Sequence, residues 1–174
     1  MLKACSANVA APAPGIATIP VAGEPLATKL YVNLAMADQA ERVAAMPVDG
    51  VGLLRAEFLL TEALGGRHPR AVIANDRAEF VERMSSSLLR ITTAFSPRPV
   101  VYRTIDFRSN EFANLTGGDA YEPAESNPMI GYRGCYRYVR EPDLFELELE
   151  LLARVREQTP NLHLMIPFVR TRWE

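Results

Sequence analysis

Asp49-Gly-Val-Gly-Leu-Leu-Arg-Ala-Glu-Phe58 sets a turn, a buried strand and the start of a helix in ten consecutive residues. Asp-Gly is turn chemistry. Val51 to Leu54 is short, apolar and partly branched, the pattern of a strand buried on both faces. Glu57 to Leu64 is built of helix formers and is broken by Gly65-Gly66. A strand that runs straight into a helix is the unit of a parallel sheet, because the chain must cross back before it can pair in the same direction.

The same unit recurs on both sides. Upstream, Lys29-Leu-Tyr-Val-Asn-Leu-Ala35 reads as a strand, and Asp38 as the N-cap of a helix that runs to Met46, just before Pro47. Downstream, one long helix is expected from about Pro69 to Phe95, with Ile73, Phe80, Met84, Leu88 and Ile91 on one face. Ser96-Pro-Arg-Pro99 ends it, and Val100-Val-Tyr-Arg-Thr-Ile105 is the third strand. A polar loop follows to Gly134, with a short helix near Glu111 to Leu115. Helix returns at Pro142 and carries Leu144, Leu147, Leu151 and Val155 to Gln158; Leu162-His-Leu-Met-Ile166 is the fourth strand.

Four strand–helix repeats predict an α/β fold with a parallel sheet and right-handed crossovers. A complete (β/α)8 barrel takes about 250 residues, more than the stretch from Lys29 to Glu174 supplies. A small open sheet and a partial barrel both fit the pattern. Residues 1–28, rich in Ala and carrying Pro12, Pro14, Pro20 and Pro25, read as a linker ahead of one domain over 29–174.

Composition narrows the function classes. The 174 residues are 48% hydrophobic and 23% charged, enough for a packed core, and the net charge of −2 gives no general attraction for nucleic acid. No run of 18 apolar residues suggests a membrane span. Cys5 and Cys135 stand far apart with no Cys/His cluster, which predicts reduced thiols in a cytoplasmic protein and neither a disulfide nor a zinc site.

The chemistry concentrates in three arginines. Arg55 follows the second strand, with Glu57 beside it. Arg103 ends the third strand, and Asp106 lies three residues on. Arg133 sits in Asn127-Pro-Met-Ile-Gly-Tyr-Arg-Gly134, flanked by glycines that would let backbone and ligand approach closely. All three fall at or beyond carboxyl ends of strands, where parallel α/β folds build ligand sites. Guanidinium groups bind carboxylate and phosphate through paired hydrogen bonds. Taken singly, each arginine reads as a structural ion pair ahead of a ligand-binding group, with Glu57 and Asp106 as partners. Tyr132-Arg-Gly-Cys-Tyr-Arg-Tyr138 also interleaves basic and aromatic residues as RNA-binding segments do, but its flanks are acidic.

Read together, these segments resemble a family. Asp49 to Phe58, Asp106-Phe-Arg-Ser-Asn-Glu-Phe-Ala-Asn-Leu115, Tyr121-Glu-Pro123, Asn127 to Gly134 and Met165-Ile-Pro-Phe-Val-Arg-Thr171 are similar, in order and spacing, to the C-terminal barrel domain of phosphoenolpyruvate-utilising enzymes, most of all phosphoenolpyruvate synthases. The resemblance runs from about Lys29 to Thr171 and implies the first half of a (β/α)8 barrel. It implies phosphoryl transfer from the phosphohistidine of a separate, ATP-charged domain to pyruvate, giving phosphoenolpyruvate, with AMP and phosphate as the other products. Arg55, Arg103 and Arg133 match the arginines that surround the phosphoryl group and the enolate, and Asp106 the acid that orients the second of them. Glu57 and Arg137 are weaker matches.

The resemblance also implies Mg²⁺, whose acidic ligands in the family lie on later strands, as does its cysteine acid–base; Cys135 does not take that role. Both are expected beyond Glu174, so this chain is expected to be inactive alone and to expose sheet edges that invite a homodimer or a partner fragment. Gly65-Gly-Arg-His68 mimics a phosphohistidine lead-in, but His68 is expected to be structural, and His163 to be satisfied in the core or on the helix-facing side. Two alternatives stand beside this reading: pyruvate, phosphate dikinase or the phosphotransferase-system enzyme, which share the arginine framework, and a non-catalytic binding or regulatory protein that keeps the anion pocket. Phe107 to Asn114 is closer to the synthases.

Overall fold

Among the described residues, four short parallel strands lie side by side in the order in which the chain makes them: β1 (Tyr31–Leu34), β2 (Gly50–Arg55), β3 (Val100–Arg103) and β4 (Leu162–Met165). The computed structural model describes residues 27–75 and 77–174. The linker expected over 1–28 therefore lies almost wholly outside the described residues, as does Cys5.

Strand order decides between the two architectures that the sequence pattern allows. A doubly wound sheet reverses its order and takes helices on both faces. Consecutive order with right-handed crossovers puts the helices on one face, as in the wall of a (β/α)8 barrel. Burial follows that division. Val51, Leu54, Val100, Tyr102 and Leu162 are buried toward the helices, whereas Tyr31, Asn33, Leu53, Val101, His163 and Met165 on the other face are half-buried or exposed. The chain is thus a mixed α/β fold that forms part of a βα barrel. His163 is exposed and not satisfied in the core, because the outer strand β4 buries only Leu162.

Seven α-helices occur among the described residues: α1 (Ala40–Ala44), α2 (Ala56–Ala63), α3 (Pro69–Asn75), α4 (Arg77–Phe95), α5 (Ser109–Ala113), α6 (Gly134–Arg140) and α7 (Pro142–Gln158). Phe80, Met84, Leu88, Ile91 and Phe95 form the apolar stripe of α4, and Leu147, Leu151 and Val155 that of α7; the two helices pack together. Each such side chain contributes about 1.5–3 kcal/mol on burial. None of the helices is long and apolar enough to cross a membrane, among the described residues.

The helix expected from Pro69 to Phe95 is met by α3 and α4 over its described residues. One local expectation is corrected. Asp38 is not an N-cap. It lies inside a 3-10 turn (Ala37–Gln39) and accepts a hydrogen bond from the Gln39 side chain. Helix α6 fills the stretch between the expected loop, which ends at Gly134, and the helix expected from Pro142, where the sequence pattern assigned no element. It opens on Gly134, which holds a φ of +55°, and a Cβ there would lie 2.8 Å from the Pro167 carbonyl.

The long connection between β3 and α6 is pinned by a buried ionic cluster. Arg137, on α6, donates from both terminal nitrogens to Glu122 at 2.7 Å, and each side chain is 1% exposed. The Arg137 guanidinium is sandwiched between the rings of Phe112 and Tyr132, 4.7 and 4.5 Å away. His68 Nδ1 accepts the Arg70 amide, capping α3, so Nε2 carries the proton shared with Glu122 at 3.0 Å. His68 is therefore structural, as expected, and Arg137 is a buried tether rather than a surface residue. Glu122→Ala would leave the Arg137 cation buried and unpaired, and is expected to cost about 3–5 kcal/mol in urea unfolding. A loss below about 1 kcal/mol would show the cluster to be solvated.

Candidate functional site

Beyond the carboxyl ends of β2 and β3 lies an open cleft of about 310 Å³, lined by Arg55, Glu57, Arg103, Asp106, Arg108, Glu111 and Arg133, with Phe58, Phe107 and Met129. It lies at the small end of the roughly 300–1,000 Å³ usual for ligand sites. The three arginines singled out in the sequence share this one cavity. Arg137 does not reach it.

Each guanidinium is held differently. Arg55 closes β2 at the point where α2 begins; it is exposed and has no ion-pair partner among the described residues. Arg103 leaves β3 and donates from Nη2 to Glu57 Oε1 at 3.1 Å, with Asp106 Oδ2 at 3.6 Å from Nη1. Its Nε is buried without a hydrogen-bond partner. Arg133, the residue before α6, makes a paired contact with Asp106, from Nε to Oδ1 and from Nη2 to Oδ2, both 2.9 Å. Its flat face lies 4.0 Å from the Phe168 ring centroid. Asp106 and Glu57 are thus the carboxylate partners that the sequence suggested. Their side chains are 1% and 9% exposed, and removing either would strand a cation.

The backbone is fixed as firmly. Thr104, Ile105 and Asp106 follow β3, and their three amides are captured by three different elements. Thr104 donates to the Met165 carbonyl at 3.0 Å, Ile105 to Glu148 Oε1 at 3.3 Å and Asp106 to Glu57 Oε1 at 2.7 Å. Glu148, on α7, is fully buried. It also accepts the Tyr102 hydroxyl at 2.7 Å and the Tyr138 hydroxyl at short range.

Charge in the cleft is biased toward anions. Four guanidinium groups face three carboxylates, Glu57, Asp106 and Glu111. Burial pushes the Glu57 carboxyl above its ordinary range, against the pull of Arg103 and the Asp106 amide. Glu111 is held below its ordinary range by the Arg108 hydrogen bond.

Sequence reasoning missed Arg108, Glu111 and Glu148. The first two were legible as residues three apart at a helix start, where they form a reciprocal cap of α5. Glu148 is a carboxylate on the stripe of Leu144, Leu147 and Leu151, a position that predicts burial. One expectation about the glycines is overturned. A Cβ on Gly131 would lie 2.0 Å from Glu125 Oε1, and one on Gly134 would meet Pro167 and Phe168. These glycines admit the chain's own groups, not a ligand. The aromatic and basic stretch from Tyr132 to Tyr138 buries Arg137 and Tyr138 on α6 and offers no continuous stacking surface. Among the described residues no three His, Cys, Asp or Glu side chains are grouped to hold a metal ion.

Comparison with known proteins follows the same lines. Residues 18–174 match the PEP-binding domain of PEP-utilising enzymes, beyond the motif-bearing stretch at both ends. The chain is 42% identical over 154 residues to a probable phosphoenolpyruvate synthase of Staphylothermus marinus, a match covering 85% of this chain and 18% of the relative. It is 44% identical over 146 residues to a probable phosphoenolpyruvate synthase of Methanocaldococcus jannaschii, covering 82% of this chain and 12% of the relative. It is 39% identical over 170 residues to the phosphoenolpyruvate synthase of Escherichia coli, covering 84% of this chain and 21% of the relative. The chain thus spans about a fifth or less of the length of these curated relatives.

Burial pushes Glu148 from its ordinary 4.5 up to about 7, offset by its hydrogen bonds from Tyr138, Tyr102 and the Ile105 amide. Because the folded value is raised, protonation of Glu148 favours the folded chain. That contribution is complete below about pH 4.5 and is lost as pH rises through about 7. Urea unfolding at a series of pH values should show the wild-type chain losing stability relative to Glu148→Gln across that window. A difference that stays constant with pH would contradict the assignment.

Proposed function

This chain belongs to the PEP-utilising enzymes through their PEP-binding domain, and from that premise we propose that its arginine cleft grips phosphoenolpyruvate and, in the reverse sense, pyruvate as its enolate together with the phosphoryl group in transit. In the whole protein the reaction would be that of a phosphoenolpyruvate synthase. A phosphohistidine domain charged by ATP presents its phosphoryl group, the nitrogen–phosphorus bond breaks, and a phosphorus–oxygen bond forms at the enolate oxygen. The synthase names of the relatives support this reading over the dikinase and phosphotransferase-system alternatives.

One observation carries the proposal: a cleft at the strand ends holds four guanidinium groups, of which Arg55 has no ion-pair partner among the described residues. Transfer of a phosphoryl group asks mainly for fixed positive charge where negative charge develops. Arg133 is held in one orientation by its paired contact with Asp106. Arg103 is tied at one nitrogen by Glu57 and keeps a buried Nε without a partner. Arg55 is free to close on an anionic oxygen. In this proposal Arg55, Arg103 and Arg133 bind and stabilise the anion, while Asp106 and Glu57 aim the last two. Mg²⁺, which the resemblance implies, finds no ligand set among the described residues; gripping and orienting the anion fall to the cleft's own side chains. The outer edges of β1 and β4, unpaired among the described residues, support the further expectation of a homodimer or a companion fragment. A cytoplasmic location belongs to the same reading.

Arg55→Ala is the cleanest test, because that side chain holds no other group in place among the described residues. Isothermal titration of the 174-residue chain with phosphoenolpyruvate should show affinity falling about ten- to a hundredfold, as expected for loss of a charged hydrogen bond. Unchanged circular dichroism should accompany the loss. Equal affinity of variant and wild type would remove the cleft from the assignment.

A further inference from the structure

We propose that Glu148 is a positioning residue for the arginine cleft: from the helix layer it holds the Ile105 amide, and through it the turn on which Asp106 orients Arg133. The inference rests on the anion-binding reading of that cleft and adds a residue that does not line it.

Geometry carries the argument. Glu148 lies in the apolar stripe of α7, yet among the described residues no cation pairs with it; its donors there are two phenols and one amide. An unpaired carboxylate at such a site is costly, so the site must be fully organised around it. What it organises is the sequence Tyr102 to Asp106. Tyr102 precedes Arg103, and Ile105 precedes Asp106. Both neighbours of the contacted residues are cleft residues. Side chains alternate along an extended chain, so Tyr102 meets Glu148 on the helix side while Arg103 enters the cleft on the other.

The Tyr138 hydroxyl adds a second feature. It has one proton and two acceptors, Glu148 Oε2 and the Ile105 carbonyl, the latter at 3.3 Å. With Glu148 ionised, the phenol donates to the carboxylate, and the Ile105 amide has a charged acceptor. With Glu148 protonated, the acid donates to the phenol oxygen, and the phenol proton turns to the Ile105 carbonyl. The Ile105 amide is then left with a weaker neutral acceptor. The ionisable groups that face Glu148 are Tyr102 from β3, Tyr138 from α6 and, through space, Glu57 from α2. The grip on the turn is therefore strongest in the ionised form.

Sulfate is the probe of choice, since its charge does not change across the neutral range. Removing a negative charge near an anion site should, by electrostatics alone, tighten sulfate binding. Positioning predicts the opposite. In the full 174-residue chain, Glu148→Gln is expected to weaken sulfate about three- to tenfold near pH 8, and the gap is expected to close near pH 6, where the wild-type residue carries its proton. A variant that binds as tightly as wild type near pH 8, or more tightly, overturns the proposal. Tyr138→Phe, which keeps the ring, is expected to weaken sulfate in the same sense and serves should the Gln variant not fold. Amide resonances of Ile105 and Asp106 in the unliganded chain provide a reading that needs no ligand. They are expected to titrate with a neutral midpoint in wild type and not in Glu148→Gln, and flat wild-type resonances overturn the positioning role. Absence of sulfate binding by wild type, with titrating amides, rejects the anion reading of the cleft while retaining the mechanical link from Glu148.

Discussion

Like charges do not gather without a reason, and the reason in this cleft is Asp106. Its carboxylate takes the paired donors of Arg133 at 2.9 Å and lies 3.6 Å from Arg103. Glu57 completes the arrangement by holding Arg103 and the Asp106 amide on one oxygen. Two buried carboxylates therefore set two cations side by side, one at the end of β3 and one just ahead of α6, and they leave Arg55 at the rim. A strand end is where this can be done, because beyond the last bond to β4, from Thr104, the ladder no longer occupies the amides of residues 105 and 106. Those amides are taken instead by α7 and α2.

Much of the fold was legible because the local signals agreed with one another. All four strands and the helix-forming stretches of α2, α4 and α7 follow from apolar periodicity bounded by turn residues. Strand order was not legible, since periodicity says nothing about which strands are neighbours. Helix α6 was hidden because it begins on a glycine and buries an arginine, Arg137, where a core residue would be expected to be apolar. A counter-charge 15 residues upstream makes that burial possible, and no local pattern reveals it. Asp38 misled because a good capping residue caps only if the chain turns helical just after it, and in this chain a 3-10 turn intervenes.

The site was legible where its residues lie in short motifs beside strand ends. Arg55, Arg103, Asp106 and Arg133 were each singled out, and they line one cleft. Glu148 was not, because its meaning depends on Tyr102, Ile105 and Tyr138, which only the folded chain brings around it. The glycines beside Arg133 show the opposite error. Small residues near a charged group read as room for a ligand, whereas Glu125, Pro167 and Phe168 fill that room.

The central claim is that one anion is gripped by Arg55, Arg103 and Arg133 together. A crystal structure of the chain grown with phosphoenolpyruvate tests it most directly. The account predicts the ligand's phosphoryl and carboxylate groups within hydrogen-bonding distance of these three guanidinium groups, with Asp106 still paired to Arg133. A ligand bound elsewhere on the molecule, or the three guanidinium groups turned toward separate surfaces, would contradict it.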